Sequence, residues 1–152
     1  MEIAARYSNF DIADVGDARI STSNSSFIFA TVNTFICQES RYDTFRFGEI
    51  VDEVSFPNAS NTTVRIIKTS ASFKGFSGNF RYGTIDLKLN PNVEYNLNYD
   101  GTYGRIDIPT DRFKTRFISD KTGSKTTIQG STTADAKCNI AIVANNVTCR
   151  IE

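Results

Sequence analysis

Histidine and tryptophan are both missing from the 152 residues. Without histidine there can be no histidine-based catalytic triad, no zincin-type metal site and no imidazole general base. Leucine is nearly missing too, with three residues against sixteen isoleucines and twelve phenylalanines. Net charge is absent: 17 Lys and Arg balance 17 Asp and Glu, so the basic excess that nucleic acid or an anionic membrane demands is not there. No apolar run approaches the roughly 18 uncharged positions of a membrane-spanning helix. Three cysteines, Cys37, Cys138 and Cys149, contain no CxxC spacing and are too few for a disulfide scaffold. Cys138 and Cys149 fall on runs that read as strands, which leaves two options, a disulfide or a pair of small buried hydrophobes. The second is preferred. No metal site and no cofactor is expected.

What is present is strand and turn chemistry. Serine, threonine and asparagine together supply 44 residues, and the apolar residues are mainly β-branched or aromatic, which suits strands. No segment carries a helical period with caps. The length predicts a single domain over residues 1–152. The start, Met1-Glu2-Ile3-Ala4-Ala5-Arg6, has no apolar signal-peptide core. It enters a strand-like pattern at once, so the chain reads as the C-terminal part of a longer protein. Asn24, Asn58, Asn61 and Asn146 open N-x-S/T sequons, which a chain of this composition also produces by chance.

The strongest signal is internal similarity. Tyr7-Ser8-Asn9-Phe10-Asp11-Ile12, Tyr42-Asp43-Thr44-Phe45-Arg46-Phe47, Tyr82-Gly83-Thr84-Ile85-Asp86-Leu87 and Tyr103-Gly104-Arg105-Ile106-Asp107-Ile108 each read aromatic, small or turn-forming, polar, apolar, charged, apolar. Arg6, Arg41 and Arg81 precede the first three. Weaker copies centre on Phe27, Val64, Ile128 and Cys149. The first apolar positions are then 10, 27, 45, 64, 85, 106, 128 and 149, in steps of 17, 18, 19, 21, 21, 22 and 21. Apolar-charged-apolar is the period-two pattern of a strand with one buried face. Second strand-like runs lie between the markers, at 34–37, 49–51, 93–97, 113–117 and 138–142, with Pro57, Pro91 and Pro109 outside them.

One such repeat cannot fold alone. Ordering its roughly twenty residues costs about 1–2 kcal/mol each in backbone entropy. Its four or five inward side chains return about 1.5–3 kcal/mol each. Stacking repeats in coils, so that backbones pair and interiors merge, closes the deficit. The expected fold is therefore all-β, a short β-solenoid of seven or eight rungs. An antiparallel β-sandwich is the alternative.

The paired Tyr-Gly-x-Ile-Asp motifs, clearest over residues 78–152, resemble the adhesin-like β-helix domains of bacterial envelopes. In the N-terminal half Ser8 and Asp43 stand where that family favours glycine. The resemblance implies a repetitive β-helix, a periplasmic, outer-membrane-associated or extracellular location, and no established catalytic activity. It transfers no ligand residues.

Two candidate features follow from stacking the copies in sequence order. Asp86 would lie beside Asp107, about 4.8 Å away, and paired carboxylates offer oxygen ligands for a weak calcium or saccharide site. The plain alternative is a solvated outer face. Tyr7, Tyr42, Tyr82 and Tyr103 recur at the bend before each strand, with an unmarked repeat interrupting the column between Tyr42 and Tyr82. Tyr82 and Tyr103 could be sugar platforms or corner packing, and Arg81 and Arg105 beside them would suit an acidic glycan. The expected function is a non-catalytic envelope or surface module, binding an unknown protein or glycan partner and prone to edge-to-edge self-association. The alternative is a carbohydrate-active β-helix that acts on acidic polysaccharide.

Overall fold

The computed structural model describes residues 1–152. Eleven strands account for nearly all regular structure: β1 (Glu2–Arg6), β2 (Asn9–Ser23), β3 (Ser26–Arg41), β4 (Thr44–Ser60), β5 (Thr63–Ile66), β6 (Gly75–Leu87), β7 (Tyr95–Thr102), β8 (Arg105–Asp107), β9 (Arg116–Thr122), β10 (Lys125–Ser131) and β11 (Cys138–Ile151). The one helical element is a 3-10 turn, Thr110–Arg112. The strands form because apolar and polar residues alternate. In β5, Val64 and Ile66 are buried while Thr63 and Arg65 are exposed, as a pleated chain with one dry face requires.

All eleven strands join one open mixed sheet. Nine of the eleven pairings are parallel. Antiparallel pairing is confined to β7–β10 and β10–β9, so the antiparallel sandwich does not describe this chain. Strands β2, β3 and β4 run 15 to 17 residues and bend, which brings their two halves face to face. Phe29 and Phe35, both on β3, pack T-shaped at 5.6 Å. Phe35 also meets Phe45 and Phe47 at 5.5 and 4.8 Å. The inner faces thus share one cluster of 34 buried residues.

Two inward ladders organise that core. In the first halves, Phe10, Phe27, Phe45, Val64 and Ile85 are successive register partners. The rings stack almost parallel, Phe10 on Phe27 at 4.8 Å and Phe27 on Phe45 at 5.0 Å. In the second halves, Ala18, Phe35, Val54, Phe76, Ile140 and Leu97 follow one another. The spacing between partners grows along the chain, and β-bulges absorb the extra residues: at Ile20/Ser21, at Val32/Thr34 and at Phe56/Ala59. Pro57, expected outside the strands, falls within β4 at the last of these. There the ladder is already interrupted, so its missing N–H costs no hydrogen bond.

Beyond Ile85 the sequence order fails. The partner of Ile85 is Cys149, and the partner of Cys149 is Ile106. Strand β11 is inserted between β6 and the β7–β8 segment. Length explains the choice. β6 presents a long edge, and β11 matches it over twelve positions, whereas the segment at 95–107 is split into two short strands. Ile128 lies outside this ladder altogether, pairing with Tyr99 and Ser119 in antiparallel register. The cause is the tight turn between β9 and β10, where Gly123 takes φ 61° and the chain reverses. The run expected as a strand at 113–117 becomes strand only from Arg116, because Phe113 closes the 3-10 turn.

Candidate ligand-binding face

The corner preceding each first-half strand is built the same way. Tyr7, Asn24, Tyr42, Asn61, Tyr82, Tyr103 and Asn146 all have φ between 51° and 56°. The residues just before them are register partners in the order Arg6, Ser23, Arg41, Ser60, Arg81, Asn145, Thr102. Read across the sheet, the corner column is therefore Tyr7, Asn24, Tyr42, Asn61, Tyr82, Asn146, Tyr103. Tyrosine and asparagine alternate without a break. The interruption anticipated between Tyr42 and Tyr82 is Asn61, and Tyr82 and Tyr103 are separated by Asn146. All four tyrosines are exposed, from 52% for Tyr82 to 81% for Tyr7.

The next residue fastens the corner. Ser8, Ser25 and Thr62 donate their hydroxyls to the carbonyls of Arg6, Ser23 and Ser60, at 2.9, 3.1 and 3.0 Å. Asp43 does the same work as an acceptor. Its buried carboxylate takes the backbone N–H groups of Ser25 and Arg41, both at 2.8 Å, and the Ser40 hydroxyl at 2.7 Å. A buried charge is tolerated when it is surrounded by donors in this way. At Gly83 a side chain would collide with the Thr62 carbonyl, only 2.2 Å from where its Cβ would sit.

Two clefts open along this column. One, of about 720 Å³, lies between Arg6 and the Arg41–Tyr42 pair, with Ser21, Ser23 and Glu39 on its walls. The second, of about 400 Å³, lies between Arg41–Tyr42 and Arg81, over Ser60 and Asn79. None of Arg6, Arg41 and Arg81 belongs to an ion pair.

The carboxylate pair is not formed. Asp86 is in register with Arg65 on one side and with Arg150 on the other, and Asp107 is the next partner of Arg150. Arg65 Nε lies 3.9 Å from Asp86 Oδ2. Arg150 occupies the register position between the two aspartates, and its guanidinium pairs with Glu152. Stacking the copies in sequence order puts Arg150 at the far end of the column, away from both aspartates. The alternating asparagines were visible in the sequence as sequons, and their shared left-handed geometry was not.

The three cysteines are free and buried. Cys138 and Cys149 sit at opposite ends of one strand, which rules out a disulfide between them. Burial pushes the Cys138 thiol up to about 12. It does the same for Cys37 and Cys149, helped by Asp43 and Asp86 respectively. The raised values favour the protonated thiol at neutral pH. No group of three or more His, Cys, Asp or Glu side chains comes together in a metal-binding arrangement.

Comparison with protein-family models, with curated proteins and with solved structures finds no match.

Proposed function

We propose that this chain is a non-catalytic β-solenoid module that displays a rigid, laterally extended face to a partner, in the manner of the envelope adhesin-like domains its motifs resemble. The in-register stack Phe10, Phe27, Phe45 carries the reading. Its parallel rings, one strand apart, are what coils of one short repeat produce when laid directly on each other. A core of this kind fixes the outward positions as columns and supports binding along a line.

The same reading covers self-association. β1 pairs with β2 only over Arg19–Ser23, so the first half of β2 keeps an unpaired outer edge above half-buried Phe10, Ile12 and Val15, and a second strand can add there. The functional test is incubation with acidic polysaccharides, following both retention and chain length. Retention with unchanged length is expected. Release of shortened or unsaturated oligosaccharides would overturn the reading.

A further inference from the structure

We propose that the column bearing Arg6–Tyr7, Arg41–Tyr42 and Arg81–Tyr82 binds an extended acidic polysaccharide carrying one carboxylate for every two sugars. The inference rests on the displayed-face reading above and names its ligand.

The backbone supplies the first argument. A left-handed φ suits asparagine and glycine, but for a tyrosine it is strained by about 1–3 kcal/mol. Packing does not return that cost here, because the tyrosine side chains are 52–81% exposed. The sequence places asparagine at Asn24, Asn61 and Asn146 in the same conformation, so the fold accepts the relaxed residue. Four strained tyrosines held in water fit a role outside folding.

Charge supplies the second. Arg6, Arg41 and Arg81 alternate with Ser23 and Ser60 in the register, and none is neutralised by an ion pair. The second cleft has Arg41 and Arg81 on its walls and no acid among its lining residues. The first carries Glu39 against Arg6 and Arg41, so the net sign remains positive. A chain with zero net charge thus lines up three unpaired cations at alternate strands along this column.

Spacing selects the ligand. Adjacent strands are about 4.8 Å apart, so the arginines recur about every 9.5 Å. That matches the advance of a two-sugar unit in an extended, equatorially linked glycan. Each arginine would meet one carboxylate through a charge-assisted hydrogen bond. The neighbouring tyrosine ring would cover the C–H face of a sugar, and Asn24 and Asn61 would offer amides to the hydroxyls between. Nucleic-acid phosphates, which rise about 3.4 Å per nucleotide along a duplex axis, present charge more densely than this.

The test is fluorescence anisotropy of an end-labelled oligosaccharide of alternating glucuronate and N-acetylglucosamine, long enough to cross all three arginines. Saturable binding that weakens with added salt is expected. Arg41→Ala should weaken it about tenfold, the effect of losing one charged hydrogen bond. Tyr42→Asn should also weaken it while the thermal midpoint stays level or rises, a combination that a merely structural tyrosine would not give. Arg116→Ala, away from the column, should change nothing. The proposal is overturned by absent binding, by an equal loss in Arg116→Ala, by equal binding of a neutral chitin oligosaccharide, or by tighter binding of single-stranded DNA. Shortening of the bound probe would leave this column standing and overturn the non-catalytic reading. A silent probe on a normally melting protein would overturn the column and leave that reading intact.

Discussion

Asp86 and Arg150 are register partners on neighbouring parallel strands, although they stand far apart in the chain. With Arg65 on the other flank of Asp86 and Asp107 on the other flank of Arg150, they make a ladder of alternating sign on the outside of the sheet. Exposed pairs of this kind contribute about 0.2–1 kcal/mol each. Asp86→Asn and Asp107→Asn should therefore each lower stability by less than about 1 kcal/mol in urea denaturation. Calcium titrated calorimetrically into the parent protein should give no heat above dilution.

The ring stack makes the opposite prediction. Phe45 is fully buried and contacts Phe27, Phe35, Phe47 and Phe56. Phe45→Ala should cost about 3–5 kcal/mol, read from the denaturation midpoint. Ile85→Asp, at a position 1% exposed, should prevent folding because it buries an unpaired charge. Ile106 is only partly buried at the end of its ladder, so Ile106→Asp should be milder than Ile85→Asp. Equal losses at the two sites would contradict the order in which Cys149 separates them.

Asp43 is a structural acid. Asp43→Ala would leave the buried Ser25 N–H and the Arg41 N–H without their acceptor, at about 1–3 kcal/mol for each group left unmet. A fall of several degrees in the thermal midpoint, with the strand signature in circular dichroism retained below it, is the expected result.

Tyr95 presents the reverse case. Its hydroxyl is buried with no hydrogen-bond partner, while its ring packs edge-on against Phe113 and beneath the Arg112 guanidinium. Tyr95→Phe keeps both ring contacts and removes the unsatisfied group. Stability should stay level or rise by about 1 kcal/mol. A clear loss would reveal a partner for that hydroxyl.

Alkaline pH should unfold the protein through its buried acids. Burial raises Cys37, Cys138 and Cys149 from 9.0 to about 12. It raises Tyr95 and Tyr99 from 10.0 to about 12 as well. The folded chain keeps these protons where the unfolded chain releases them. Stability is therefore unaffected below about pH 9 and falls as pH climbs from there towards 12. Denaturation midpoints measured across that range check the sign. Below it, thiol reagents should label the cysteines only once the chain is unfolded.

Much of this was legible from the residues. Apolar-charged-apolar alternation determined that the chain is all-β and which side chains face inward, since a strand has only two faces and one of them must be dry. The spacings of 17, 18, 19 and 21 between Phe10, Phe27, Phe45, Val64 and Ile85 gave the register that the sheet adopts. Tertiary structure alone decided what lies after Ile85. Parallel neighbours can be bridged by any return of the chain, so no local pattern reports that β11 takes the edge of β6 ahead of β8. That choice depends on which strand covers the most unpaired backbone. It placed Arg150 between the two aspartates, put Cys149 between Ile85 and Ile106, and set Asn146 between Tyr82 and Tyr103. Neighbours along the chain are written in the sequence, whereas neighbours across a sheet are settled by competition for its edges.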